Sequence, residues 1–248
     1  MSTAGPEILF EDSQCIAVAK PANVLSTHYQ GKDETLDRAV KAYLKEKYDK
    51  PGNVFLGIVH RLDRPVSGVL LFARTSKAAA RLAEQFRDGN VEKIYWAVVE
   101  GIPTKTAGSL EDWLFKDRAA KPEGRRGRVQ IVEPRTKGAR QALLHYQVKA
   151  TYGELSWLEL RPQTGRSHQL RVQLAHFGHP IVGDARYGSV HTFEDGIALH
   201  ARSLTFLHPI RYEPITVTAD VPRSWRHRFA HLVHGRIADV GHDAGTDA

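Results

Sequence analysis

Four stretches of this sequence bring together residue types that do chemistry. His60-Arg61-Leu62-Asp63, soon followed by Ser67-Gly68, sets a guanidinium and a carboxylate side by side after an apolar run. Loops at a strand end are where such groups meet a ligand. Tyr95 stands just after Lys93 in a strand-like run. Thr164-Gly165-Arg166-Ser167-His168-Gln169 is a glycine turn leading into a helix, and the free N–H groups at such a start suit an anion such as phosphate. Lys116 to Arg140 carries nine Lys or Arg against three acidic residues, so one segment holds nearly all of the net charge of +7. A basic surface favours a polyanion, because neutralised phosphates release counterions.

Each stretch also has a plain structural reading. Arg61 and Asp63 read equally well as members of structural ion pairs. Tyr95 reads as a half-buried strand aromatic, Thr164–Gln169 as an ordinary capped helix start, and the basic segment as a solvated loop. His227, His231 and His234 share a helical spacing but have no carboxylate or cysteine to complete a metal set, and read as surface residues.

The elements that must position these groups follow from periodicity. Ile8–Phe10 and Cys15–Ala19 are short strands around an acidic turn. Leu36, Val40, Tyr43 and Leu44 recur at helical spacing over 36–48. Phe55–Val59 and Val69–Ala73 are expected as buried strands flanking Asp63. Thr75 or Ser76 caps a helix that Gly89 stops. Ile94–Val99, Leu143–Thr151, Leu155–Arg161, Arg202–Leu207 and Ile215–Ala219 are further strands, with helices over 167–177 and 225–234. The basic segment has little periodicity and reads as a long loop or irregular hairpin. Strands and helices interleave without a βαβ rhythm, which predicts α+β with a mixed or mainly antiparallel sheet and flanking helices.

The 248 residues suffice for one large domain, expected over 7–235, with flexible ends at 1–6 and 236–248. No apolar run is long enough to span a bilayer, and the first residues do not read as a signal peptide. Cys15 is the only cysteine, which excludes an internal disulfide and argues against a cysteine-based zinc site. The reading is a cytoplasmic protein.

His60–Arg74, with its HRLDRPVSG core, resembles the signature of the RluA-type pseudouridine synthases. The stretches 8–26, 92–101, 160–188 and 199–209 resemble the family's opening strand pair with its Lys-Pro turn, its Lys-x-Tyr strand, its longest motif and its closing strand, in the family's order. Val66 departs from the pattern, where Thr is more usual. The resemblance implies the pseudouridine synthase fold with an RNA-binding cleft, a member opening directly on the catalytic domain without a small S4-like RNA-binding domain. It implies isomerisation of uridine in structured rRNA or tRNA. The N1–C1′ bond breaks, uracil rejoins through C5, and no cofactor or metal takes part.

By position in these motifs, Asp63 is the essential carboxylate, Arg166 the arginine that pairs with it, and Tyr95 the active-site tyrosine. Arg61 is expected to fill the stack left by a flipped base, with His60 beside it. Leu170 and Val172 are expected to wall the base pocket, and Arg125, Arg126 and Arg128 to grip RNA. A monomer is expected, since RNA needs one whole face. A non-catalytic RNA-binding module on the same fold is the alternative. A glycosidase would need a second flanking acid that these motifs lack.

Overall fold

The computed structural model describes residues 5–27, 34–117 and 127–233. Their strands join in one sheet of eleven. Along it lie β1 (Glu7–Glu11), β2 (Cys15–Lys20), β4 (Ser67–Ala73), β10 (Leu199–Leu207), β5 (Glu92–Glu100), β9 (Leu155–Pro162), β8 (Arg140–Tyr152), β6 (Ala107–Lys116) and β7 (Val129–Val132). β3 (Gly57–Ile58) pairs β4, and β11 (Pro214–Thr218) pairs β10. The β4–β10 pairing is parallel and the other pairings between these strands are antiparallel, so the sheet is mixed and the fold α+β.

The period of two sorts the central strands onto two cores. Ile16 and Val18 of β2, with Leu70 and Phe72 of β4, face one core. Cys15 and Ala17, with Val69, Leu71 and Ala73, face the other. All seven residues of β4 are buried, as expected of a strand covered on both faces. Helix α1 (Leu36–Lys47) covers the first face with Leu36, Val40 and Leu44. Helix α2 (Ser76–Asp88) covers the second with Ala78 and Leu82. The predicted signals at the ends of α2 act as written. The Thr75 hydroxyl accepts from the Ala78 N–H at 3.1 Å, and Gly89 ends the helix at φ 78°.

Three expectations change. Phe55–Val59 is not a buried strand: two residues pair, only against the end of β4, and Phe55 is exposed. Helix α2 packs so closely there that a Cβ on Gly57 would lie 2.7 Å from that of Ala79. The basic segment starts as the end of one strand and includes another, since Trp113–Lys116 pairs with Val129–Val132. The closing helix is two short ones, α4 (Arg223–Arg228) and α5 (Ala230–Val233); His234 lies outside the described residues.

Helix α3 (Gln169–His176) was expected to be amphipathic, yet six consecutive residues from Gln169 to Leu174 are buried. Leu170 and Leu174 join the first core, while Val172 packs with Leu114, Val129, Ala142 and Tyr187. The helix is embedded between layers. Its polar residues must therefore find partners inside the protein.

Candidate active site

Asp63 lies in the loop between β3 and β4, and the loop is fixed from three sides. A tight turn closes it, the Val66 N–H donating to Asp63 O at 3.1 Å. The buried Ser26 hydroxyl donates to Leu62 O at 2.7 Å and accepts from Leu62 N at 3.1 Å. Buried Lys20 donates from Nζ to the carbonyls of Pro21 (2.8 Å), Val24 (2.7 Å) and Arg64 (3.1 Å). Burial pulls Lys20 down to about 7, with the Asp63 charge pulling the other way. Three carbonyl acceptors fit the three N–H bonds of an ammonium.

Two glycines bring the neighbouring strand in. A Cβ on Gly68 (φ 115°) would lie 2.2 Å from Ala201 O, and one on Gly196 (φ 79°) 2.4 Å from Pro65 O. Only glycine takes such a φ at no steric cost while letting the backbones touch. At the loop's end Ser67 Oγ lies 2.9 Å from His200 Nδ1, and His200 Nε2 lies 3.0 Å from Ala219 O. The carbonyl at Nε2 assigns the proton there, so Nδ1 accepts from Ser67.

The Asp63 carboxylate meets Arg171 of α3, whose Nη1 donates to Oδ2 at 3.1 Å. The same guanidinium forks onto buried Asp184, Nε at 2.6 Å and Nη2 at 2.8 Å, and lies over the Tyr187 ring at 5.1 Å. Burial opposes the Arg171 charge, but the Asp184 hydrogen bonds and charge, then Asp63, outweigh it and raise its pKa. A bidentate fork is the geometry that holds a guanidinium in one orientation. His168 places Nε2 3.7 Å from the same Oδ2 and Nδ1 2.9 Å from the Tyr187 hydroxyl. Burial lowers His168 to about 4, against the pull of Asp63, so the imidazole is neutral at pH 7. Asp63 Oδ1 has no hydrogen-bond partner among the described residues, and its side chain is 29% exposed. One oxygen is thus anchored and the other is free for a ligand.

Tyr95 enters from β5, between Ala201 of β10 and Leu160 of β9. Burial, then the Asp63 charge, raises its phenol well above the ordinary value. Tyr95 keeps its proton at neutral pH, so its ring can stack on a flat base and its hydroxyl can donate a hydrogen bond.

The arginine beside Asp63 is therefore Arg171 and not Arg166. Arg166 is exposed, with Nε donating to Gln141 O at 3.0 Å. His60 is not presented to a ligand either. Its Nε2 accepts from Leu71 N at 2.9 Å, its ring stacks on Phe86 at 4.5 Å, and burial, with Lys93 nearby, lowers it to about 3. Arg61 is exposed in the Asp63 loop. Leu170 shares the first core with Leu62 and Val66, whereas Val172 faces the Tyr187 cluster. Arg128 is exposed, its guanidinium 6.0 Å from the Tyr187 ring; Arg125 and Arg126 lie outside the described residues.

Sequence reasoning missed Lys20, Ser26, Arg171, Asp184 and Tyr187 as parts of the site. The available signal was the 160–188 motif itself, which holds three of them, but spacing does not say which of its arginines turns inward. Asp12, Cys15 and His208 bring donor atoms within 4.8 Å of one another. His208 Nδ1 accepts from the Ile210 and Arg211 N–H groups, which leaves Nε2–H to donate to Asp12 Oδ2 at 2.7 Å. That trio ties the β1–β2 turn to the β10–β11 turn.

The fold thus presents one half-open carboxylate, anchored by a buried arginine on a mixed sheet. The family model described as RNA pseudouridylate synthase matches residues 14–176, and the chain belongs to that family of isomerases acting on RNA uridines. It is 35% identical over 230 residues to an uncharacterised RNA pseudouridine synthase of Synechocystis sp., covering 91% of this chain and 68% of that protein. It is 35% identical over 243 residues to tRNA pseudouridine synthase C of Haemophilus ducreyi (90% and 94%). It is 33% identical over 238 residues to ribosomal large subunit pseudouridine synthase D of Zymomonas mobilis (92% and 73%). Among solved structures, human RNA pseudouridylate synthase domain containing 4 superposes with a TM-score of 0.72 at 25% identity, over 92% of each chain. No helix among the described residues is long and apolar enough to cross a membrane.

Proposed function

We propose that this chain isomerises specific uridines of ribosomal or transfer RNA to pseudouridine, with Asp63 as the reacting carboxylate. The observation that carries this reading is the half-anchored carboxylate: Oδ2 on Arg171, itself locked by Asp184, and Oδ1 open. The N1–C1′ bond breaks, the C5–C1′ bond forms, C5 loses a proton and N1 gains one. Atoms and electrons balance within the nucleotide, so the reaction calls for neither metal nor redox cofactor. The target must leave its stack, at a cost of a few kcal/mol. Tyr95 stacks on the flipped uracil, and Arg61, exposed beside Asp63, fills the gap. The enzyme works in the cytoplasm as a monomer on folded RNA, its single catalytic domain spanning 7–235.

The test is a transcriptome map of pseudouridine in cells with and without the gene, complemented by wild type or Asp63→Ala. One or a few rRNA or tRNA sites should vanish and return only with the wild type. Unchanged sites in the deletion strain would leave a non-catalytic RNA-binding role in place of this one.

A further inference from the structure

A cavity of about 620 Å³ opens where the end of β6 meets the turn before α3. Phe115, Lys116, Asp117, Arg140, Arg166 and Ser167 line it. Its size falls in the range of pockets for small organic ligands, roughly 300–1,000 Å³. Three of these six residues are cationic, and Lys116, Arg140 and Arg166 form no ion pair among the described residues. Arg166 is steadied through Nε alone, by Gln141 O, which leaves its terminal nitrogens without a protein partner there. Unpaired guanidinium groups beside an aromatic ring are the chemistry that takes a phosphate and a stacked base.

The cavity and the carboxylate site are adjacent along the chain. Ser167 lines the cavity, and the next residue, His168, faces Asp63 Oδ2 at 3.7 Å. An RNA strand with a uridine at Asp63 thus has the cavity within reach of a neighbouring nucleotide.

We propose that this cavity is a second nucleotide subsite, in which Phe115 stacks the base and Arg166 and Arg140 hold the phosphate of a nucleotide flanking the target uridine. The proposal rests on the RNA reading above and extends it: the enzyme selects its target partly by the neighbour that this subsite accepts. It also gives Arg166 a role that a catalytic partner of Asp63 would not have, since substrate affinity and not the chemical step depends on it.

Two measurements test it. The full-length protein is irradiated with decauridylate RNA in which 5-iodouridine replaces uridine, and adducts are mapped by mass spectrometry. An adduct on Phe115, separate from any at Tyr95 and reduced about 10-fold in Arg140→Gln/Arg166→Gln, is expected; its absence overturns the subsite. This arm needs no turnover, so it stands whether or not the pseudouridine map identifies a target. On a stem-loop carrying the mapped uridine, Arg166→Gln and Phe115→Ala should each raise KM about 10-fold, as loss of a stacked or charged contact does, with the single-turnover rate at saturation within 2-fold of wild type. Arg166 is exposed, so its replacement leaves the fold intact. A fall in that saturated rate at unchanged KM would return Arg166 to the chemistry and sink the proposal.

Discussion

Asp184 is almost wholly shielded from solvent, yet the orientation of Arg171 at Asp63 depends on it. Arg171 is 8% exposed and Asp184 2%, so neither charge has water to fall back on. Removing one partner of a buried pair typically costs about 3–5 kcal/mol, because the other charge stays behind uncompensated. Asp184→Asn keeps the volume but leaves Arg171 to swing toward Asp63. The expected result is a drop of roughly that size in urea-unfolding free energy and a fall in single-turnover rate of about 10–100-fold. KM should move far less, since the pair meets Asp63 through Arg171 and exposes almost no surface of its own. A variant with lower stability and an unchanged saturated rate would mean that Arg171 finds its orientation without the fork.

At the level of elements, the Asp63 loop is held by its backbone groups, largely through the side chains of Ser26 and Lys20. Ser26→Ala removes both hydrogen bonds to buried Leu62. Leaving such groups unpaired costs about 1–3 kcal/mol, and the looser loop should lower the saturated rate as well as the midpoint of urea unfolding. Thr75→Ala is the matched control: losing an N-cap costs about 1 kcal/mol, on a helix covering the opposite core from Leu62 and Val66, so activity at 25 °C should not change. These elements also show what could be read from residues alone. Thr75 and Gly89 act locally, and their sequence signals were sufficient to place α2. β3 stays short because β10 pairs with Ser67 and Gly68 of β4 and the His60 ring takes the Leu71 N–H, which leaves it only the strand's end, and no local pattern records that. Arg171 failed for a related reason. On a helix buried all round, a polar residue looks like the wet face of an amphipathic one until its partner, Asp184, is brought in by a turn 13 residues later.

Across the whole molecule, three histidines, one fully buried and two partly so, are held in neutral form and tie separate parts of the sheet together. His60, lowered to about 3, accepts from the β4 backbone. His200, lowered to about 4 by burial, accepts from Ser67 and donates across to Ala219. His168, lowered to about 4, sits against Asp63 and Tyr187. In each case the folded pKa lies below the ordinary value near 6.5, so the unfolded chain binds more protons in between, and stability rises with pH across that interval. The contribution is complete above about pH 6.5 and is lost as pH falls toward 4. Protonation would take from His60 and His200 the ring nitrogens that now accept hydrogen bonds, and would place a charge in dry surroundings. Each group adds a slope of up to about 1.4 kcal/mol per pH unit in that window. Urea unfolding at pH 7.5, 6.5, 5.5 and 4.5 should therefore show a stability that falls modestly over the first step, where Lys20, lowered to about 7, also takes up its proton, and most steeply over the last two. His200→Gln, whose amide can still accept from Ser67 and donate to Ala219, should start less stable but lose less on acidification. An unchanged slope in that variant would place the acid sensitivity in His60, His168 or the carboxylates and not in the link that joins β4 to β10.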